Sequence, residues 1–133
     1  MSVRNEALFG LTACLLFASP AHPADLDGEW ANDLSVCSKI FVKKDNRILL
    51  TENADFYGSG FIINGNELVG KLGKCRVTSR KTQESKIQMS AECVTDIALA
   101  SEQFSLRVDS DDKITRIFPS MPDMEMQYYR CPR

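Results

Sequence analysis

Few residues in this chain could do covalent chemistry. Among 133 residues there is one histidine, His22. Ser-His-Asp and Cys-His catalysis both use an imidazole as base, and His22 sits beside a cleavage signal that removes it or leaves it at a terminus. Carboxylate pairs are the remaining route, as in glycoside hydrolysis. The acids gather in three polar clusters: Asp25, Asp27 and Glu29; Asp109, Asp111 and Asp112; Asp123 and Glu125. Acids in turns are usually solvated punctuation. The expectation is a protein without catalytic residues, with a carboxylate-based hydrolase as an alternative.

Metal chemistry is no better supplied. There is no C-x-x-C pair for zinc. Met121, Met124 and Met126 offer soft sulfur, which suits Cu(I). Met124, Met126 and Tyr128 also alternate along one strand face, which is how core residues are spaced. No metal site and no cofactor is expected. The run 57–61, YGSGF, has glycines but neither a P-loop lysine nor a following helix, so it reads as a strand bulge or a point of close approach.

The cysteines carry more information. Arg4, the apolar run 7–18 and the small residues Ser19-Pro20-Ala21 form a signal-peptide pattern, with cleavage after Ala21 or after Ala24. The run is too short to span a bilayer. Leu11-Thr12-Ala13-Cys14 resembles a lipobox, but the apolar run continues past the cysteine. Residues 1–24 are therefore expected to be a signal peptide and 25–133 a single domain, periplasmic or secreted. Cys14 leaves with the leader, and Cys37, Cys75, Cys93 and Cys131 remain. An even count in a short exported chain implies disulfides.

Four cysteines allow three pairings, and residues 74–94 favour one of them. They read as a β-hairpin with Cys75 opposite Cys93. Val77 then faces Ala91, Ser79 faces Met89, and Lys81 faces Ile87, around a polar loop at 82–86. Side chains alternate with period two, so these odd-numbered residues share one mostly apolar face. Arg76, Thr78, Arg80, Gln88, Ser90 and Glu92 share a polar one. Cys37 is left to pair with Cys131. In the chain-entropy model the first bridge is worth ~3 kcal/mol and the second, closing a longer loop, at most ~5 kcal/mol.

The elements around this hairpin are short. Asn32 or Asp33 can cap one or two helical turns, with Leu34, Cys37 and Phe41 at helical spacing. Strands at 41–44 and 47–51 flank an Asp45-Asn46 turn. A strand is expected at 56–63. The Asn64-Gly65-Asn66 turn after it allows two registers: Phe61 opposite Leu68, or Ile62 opposite Val69. The strand 67–72 returns, and a bulge or tight turn at Gly73-Lys74 switches the apolar face. Residues 95–100 fit a helical turn or an irregular strand. Strands at 103–108, 113–118 and 124–131 complete the chain, with turns at 110–112 and 119–123. The fold expected is all-β: an antiparallel meander of about eight strands forming a small barrel or strongly bent sheet, with a short N-terminal helical segment and two disulfides. A mature chain of about 110 residues makes one domain with a modest core.

Gly28-Glu29-Trp30 is the one family motif. A G-x-W at the start of an all-β meander resembles the lipocalin and wider calycin pattern. The resemblance implies that Trp30 packs at the closed end of a barrel beneath an arginine of the last strand, Arg130, with Arg116 as substitute. The chain is also similar to small exported bacterial proteins with four cysteines and a Tyr-Tyr-Arg-Cys-Pro end, a likeness that implies no activity.

The leading expectation is a non-enzymatic binding module of the bacterial envelope. Its partner would be a small apolar ligand, lined by Phe56, Phe61, Met89 and Phe104, or an envelope protein. An inhibitor of an envelope enzyme, acting through the loop at 82–86 or 119–123, is a second alternative. The net charge of −2, with both signs interspersed, suits neither nucleic acid nor an anionic membrane surface. No stable membrane insertion is expected once the signal is removed.

Overall fold

The structure is a computed structural model, and it describes residues 24–71 and 73–133. The expected signal peptide, apart from Ala24, lies outside the described residues, as does Leu72. The strands are β1 (Gly28–Ala31), β2 (Phe41–Lys44), β3 (Arg47–Leu50), β4 (Gly60–Asn64), β5 (Glu67–Gly70), β6 (Gly73–Gln83), β7 (Lys86–Val94), β8 (Leu99–Ser110), β9 (Lys113–Ile117) and β10 (Glu125–Arg130). Single helical turns, α1 (Cys37–Ile40) and α2 (Ala54–Tyr57), flank the hairpin β2–β3. Eight strands close an antiparallel barrel in the order β1-β10-β9-β8-β7-β6-β5-β4. An eight-stranded barrel is just wide enough to be filled by side chains or to hold one small ligand.

Closure rests on β1. It pairs with β4 along one edge, Trp30 opposite Phe61, and with β10 along the other, Trp30 opposite Arg130. The chain then leaves the barrel at Ala31 and returns at Gly60. The two ends of this excursion are pinned together: Asn32 and Ser59 exchange a backbone hydrogen bond of 2.9 Å, and the Asn32 carboxamide accepts from the Ser59 N–H at 2.9 Å.

Between those ends lies a small second core outside the barrel wall. Ala31, Ile40, Ala54 and Cys131 are buried there, against Val36, Cys37, Phe41 and Leu50. Asp33 starts the segment by capping a 3₁₀ turn (Leu34–Val36), accepting from the Ser35 N–H at 2.8 Å. The Cys37–Cys131 disulfide fastens this lobe to the strand end beside β1. The bridge therefore secures an outer lobe, and backbone pairing closes the barrel. The hairpin β2–β3 turns at Asp45-Asn46, both with positive φ, and forms a separate two-stranded sheet.

Cys75 sits opposite Cys93, bridged, with Val77 opposite Ala91 as expected. Beyond that the register differs. Arg80 faces Met89 and Thr82 faces Ile87, with a bulge between Val77 and Ser79. Parity gives the reason. A two-residue turn pairs residues whose numbers sum to an odd value, as Gln83 with Lys86 do, whereas the cysteine numbers sum to an even one. One extra residue in β6 reconciles them. The polar loop expected at 82–86 is thus only the turn Glu84-Ser85. The bulge also brings Arg80 round to the Met89 face, where it donates to the Ala24 carbonyl at 2.9 Å.

Two other expectations change. Residues 56–63 do not form one strand, since 54–57 make α2. Ala54 fills the outer core, and one helical turn then points Phe56 at solvent, 83% exposed. The 64–66 turn takes the second register, Ile62 opposite Val69. The face switch after β5 needs no bulge, because Gly70 pairs with Gly73, numbers of opposite parity.

Removal of the outer bridge by Cys37→Ser with Cys131→Ser is expected to cost ~2–5 kcal/mol. Limited proteolysis with mass mapping should then cut first within residues 32–59. Simultaneous cutting across the barrel strands would contradict the outer-lobe assignment.

Candidate functional site

The two barrel ends are built differently. At one end, residues 24–27 cross beneath the strands, and Leu26 is buried in the barrel core. Trp30 is fully buried, and its indole N–H donates to the Leu26 carbonyl at 2.8 Å. The Arg130 guanidinium lies 4.4 Å from the centre of the Trp30 ring. It donates to three carbonyls, of Asp111 at 3.0 Å, Asp25 at 2.7 Å, and Asp27, and lies 3.6 Å from the Asp112 carboxylate. One side chain thus gathers the N-terminal segment, the β8–β9 turn and the indole into a floor. Gly28 has φ +142°, and a Cβ there would stand 3.1 Å from the Arg130 Nη1. That accounts for the glycine of the G-x-W motif. Arg130 takes the place beside Trp30, and Arg116 is elsewhere.

The opposite end is open. A cavity of about 790 Å³ runs in from the mouth, within the ~300–1,000 Å³ usual for small-molecule sites. Phe61, Leu68, Met89, Phe104, Leu106 and Tyr128 supply its apolar wall, with the Cys75–Cys93 bridge among them. Phe61 and Tyr128 meet edge to face at 4.8 Å. Of the residues expected to line a ligand, Phe61, Met89 and Phe104 are brought together here. Phe56 is not, because α2 turns it outward.

Polar groups at the mouth are few. Lys71 lies 3.6 Å from the Asp55 carboxylate and donates to the Glu52 carbonyl. Glu102 is at the lip. Arg116 reaches in from β9, between Phe104 at 5.0 Å and Phe118 at 4.7 Å from the ring centres. Sequence reasoning did not assign Arg116, Glu102, Leu106 or Tyr128 to a cavity. The signal for Arg116 was its period-two spacing from the buried Ile114.

Around this mouth lies an apolar rim. Ile97 is 96% exposed and Leu99 75%, both at the β7–β8 turn; Phe56 and Tyr57 come from α2, and Met121 and Met124 from the β9–β10 loop. Met126, in contrast, packs on the barrel core. So Met124 and Met126 do not share a buried strand face, because β10 begins only at Glu125. The turns at the closed end, Gly65-Asn66, Glu84-Ser85 and Asp111-Asp112, are all polar.

The acidic clusters are largely tied into the framework. Asp27 accepts from the Gly65 N–H at 2.7 Å. Asp109 occupies a bulge between β8 and β9, where it accepts from the buried Thr115 hydroxyl and from the Arg107 Nε at 2.8 Å. Glu125 reaches the same guanidinium at 3.1 Å. Burial pushes the Asp109 carboxyl up, but the hydrogen bonds from Arg107 and Thr115 outweigh it and hold the group below its ordinary value. The Asp109 hydrogen bond, followed by that of Glu125, raises Arg107. Among the described residues, no three His, Cys, Asp or Glu side chains converge as metal ligands, and no helix is long and apolar enough to cross a membrane.

The chain matches no family model, no curated protein and no solved structure. Two disulfides are the chemistry of an oxidising compartment.

Arg130→Met should cost about 2–4 kcal/mol, from charged hydrogen bonds and the ring contact together. Arg130→Lys should recover less than half of that, because an ammonium cannot span the same carbonyls. Urea unfolding curves measure both. Asp109 has a depressed folded pKa, so its stabilisation is present above the unfolded value of 3.8 and is lost as pH falls through the folded one. Asp109→Asn should therefore flatten the acid limb of the stability–pH curve below about pH 4.

Proposed function

We propose that this chain is an exported, non-enzymatic binding module of the bacterial envelope, holding a small apolar ligand in the open end of its barrel. The cavity carries the reading. It has one closed end, one open end and an aromatic and aliphatic wall with few polar groups, the usual make-up of small-molecule sites. Closed up-and-down barrels of eight strands commonly hold one such ligand. The Gly28–Trp30–Arg130 floor supports the likeness to the calycin pattern, in which the ligand enters at the other end. The disulfides and the leader at 1–24 support a periplasmic or secreted location. Binding is preferred to catalysis because Asp27, Asp109 and Glu125 are already engaged in the framework.

A second reading has its own support. Ile97, Leu99 and Phe56 stand on separate segments around one mouth, and clustered exposed apolar residues mark contact surfaces. An envelope protein docked on this rim would cover them, whether as a delivery partner or as an enzyme held in check. The loop at 119–123 belongs to that rim.

Native mass spectrometry of protein purified from the periplasm should show a retained small molecule. After its removal, the neutral dye N-phenylnaphthylamine should bind saturably at one site. Met89→Trp, which fills the cavity, should weaken the dye at least about tenfold, whereas Ile97→Asp on the rim should not. Absence of both a retained molecule and saturable dye binding would overturn the cavity reading.

A further inference from the structure

Arg116 stands apart from the other arginines that meet the barrel framework. Arg130 is spent on three carbonyls, Arg107 on Asp109 and Glu125, and Arg80 on the Ala24 carbonyl. Among the described residues, Arg116 makes no salt bridge and no hydrogen bond, and it lies against two phenyl rings. The register explains its direction. Arg116 pairs with Leu106 on β8 and Met126 on β10, so it shares the inward face of the buried Leu106 and of Ile114, two residues before it. A planar guanidinium is therefore held over the upper part of an apolar cavity, with its five N–H donors unassigned.

We infer that Arg116 receives the head of a single-tailed anionic amphiphile, a carboxylate above all, whose hydrocarbon tail lies against Phe61, Met89 and Leu106. The inference rests on the proposed cavity reading and deepens it. A guanidinium fits a carboxylate through two parallel hydrogen bonds. Phe104 and Phe118 lie 5.0 and 4.7 Å from it and restrict its movement, so less side-chain freedom is lost on binding. Glu102 also lines the mouth, but it sits at the exposed lip, one inward position beyond Phe104 on β8. Lys71 is already engaged by Asp55 and the Glu52 carbonyl. Arg116 is thus the cation left for a ligand.

The test compares dodecanoate with dodecanol as competitors for N-phenylnaphthylamine on the intact, oxidised protein at neutral pH. The tails match, so the head alone differs. Dodecanoate should displace the dye at about tenfold lower concentration, the worth of one charge-assisted hydrogen bond. Added salt should shrink that preference. Arg116→Gln should bring the two competitors level, each measured against the variant's own dye affinity, and Arg116→Lys should restore part of the preference. Equal displacement by acid and alcohol in the wild type would overturn the head-group assignment and leave the apolar cavity standing. Failure of the dye to bind, with no retained molecule either, would overturn both. The wild-type comparison and its salt dependence decide the matter even where a variant fails to fold.

Discussion

Closure of the barrel depends on four residues. Gly28–Ala31 is hydrogen-bonded along both edges, to β4 and to β10. Without that strand the sheet would have two free ends, with no floor and no enclosed cavity. A strand of four residues is a weak seam, and three features reinforce it. Trp30 fills the interior behind it. Arg130 binds the segment that precedes it, and the outer lobe, held by Cys37–Cys131, packs on its far side. These reinforcements sit on opposite faces of the seam, so neither the inner nor the outer core holds it alone.

The same asymmetry divides the barrel along its axis. The closed end uses polar two-residue turns and an arginine aimed at carbonyl oxygens. Apart from the short β5–β6 link, the open end carries longer connections, with Ile97, Leu99 and Phe56 facing solvent. Apolar surface left in water is unfavourable by roughly 25 cal/mol per Å², so a rim of this kind is a standing cost to the isolated chain. Beside it lies the least filled part of the interior, where Arg116 makes no bond to an acid.

Much of the fold was legible in the residues. Alternation around Cys75 and Cys93 admits one base register, and the second bridge follows by elimination. Export of the leader is an expectation that lies outside the described residues. The outer lobe was not legible: Phe56 to Ile63 reads as a continuous strand because local pattern cannot tell that Ala54 is needed by a second core. The bulge in β6 was hidden for a related reason. Its signal is a parity conflict between the base and the tip of one hairpin, visible only once the turn is known to hold two residues. At the site, Phe61, Met89 and Phe104 stand out as apolar residues on inward faces. Arg116 does not, because an arginine in a strand is ordinarily read as facing water, and only the pairing with Leu106 and Met126 turns it inward.

The closed ladder has a further consequence for self-association. A barrel joined all the way round leaves no strand without a neighbour on one side along its whole length. The detached hairpin β2–β3 does, along both flanks. It also presents Val42, Ile48 and Leu49 to solvent, a composition prone to cross-chain strand addition. Lys43, Lys44 and Arg47 are interleaved with them and exposed. Two copies approaching flank to flank would bring like charges together before any backbone bond could form, so the cations at the tip of this ribbon act as its guard against polymerisation.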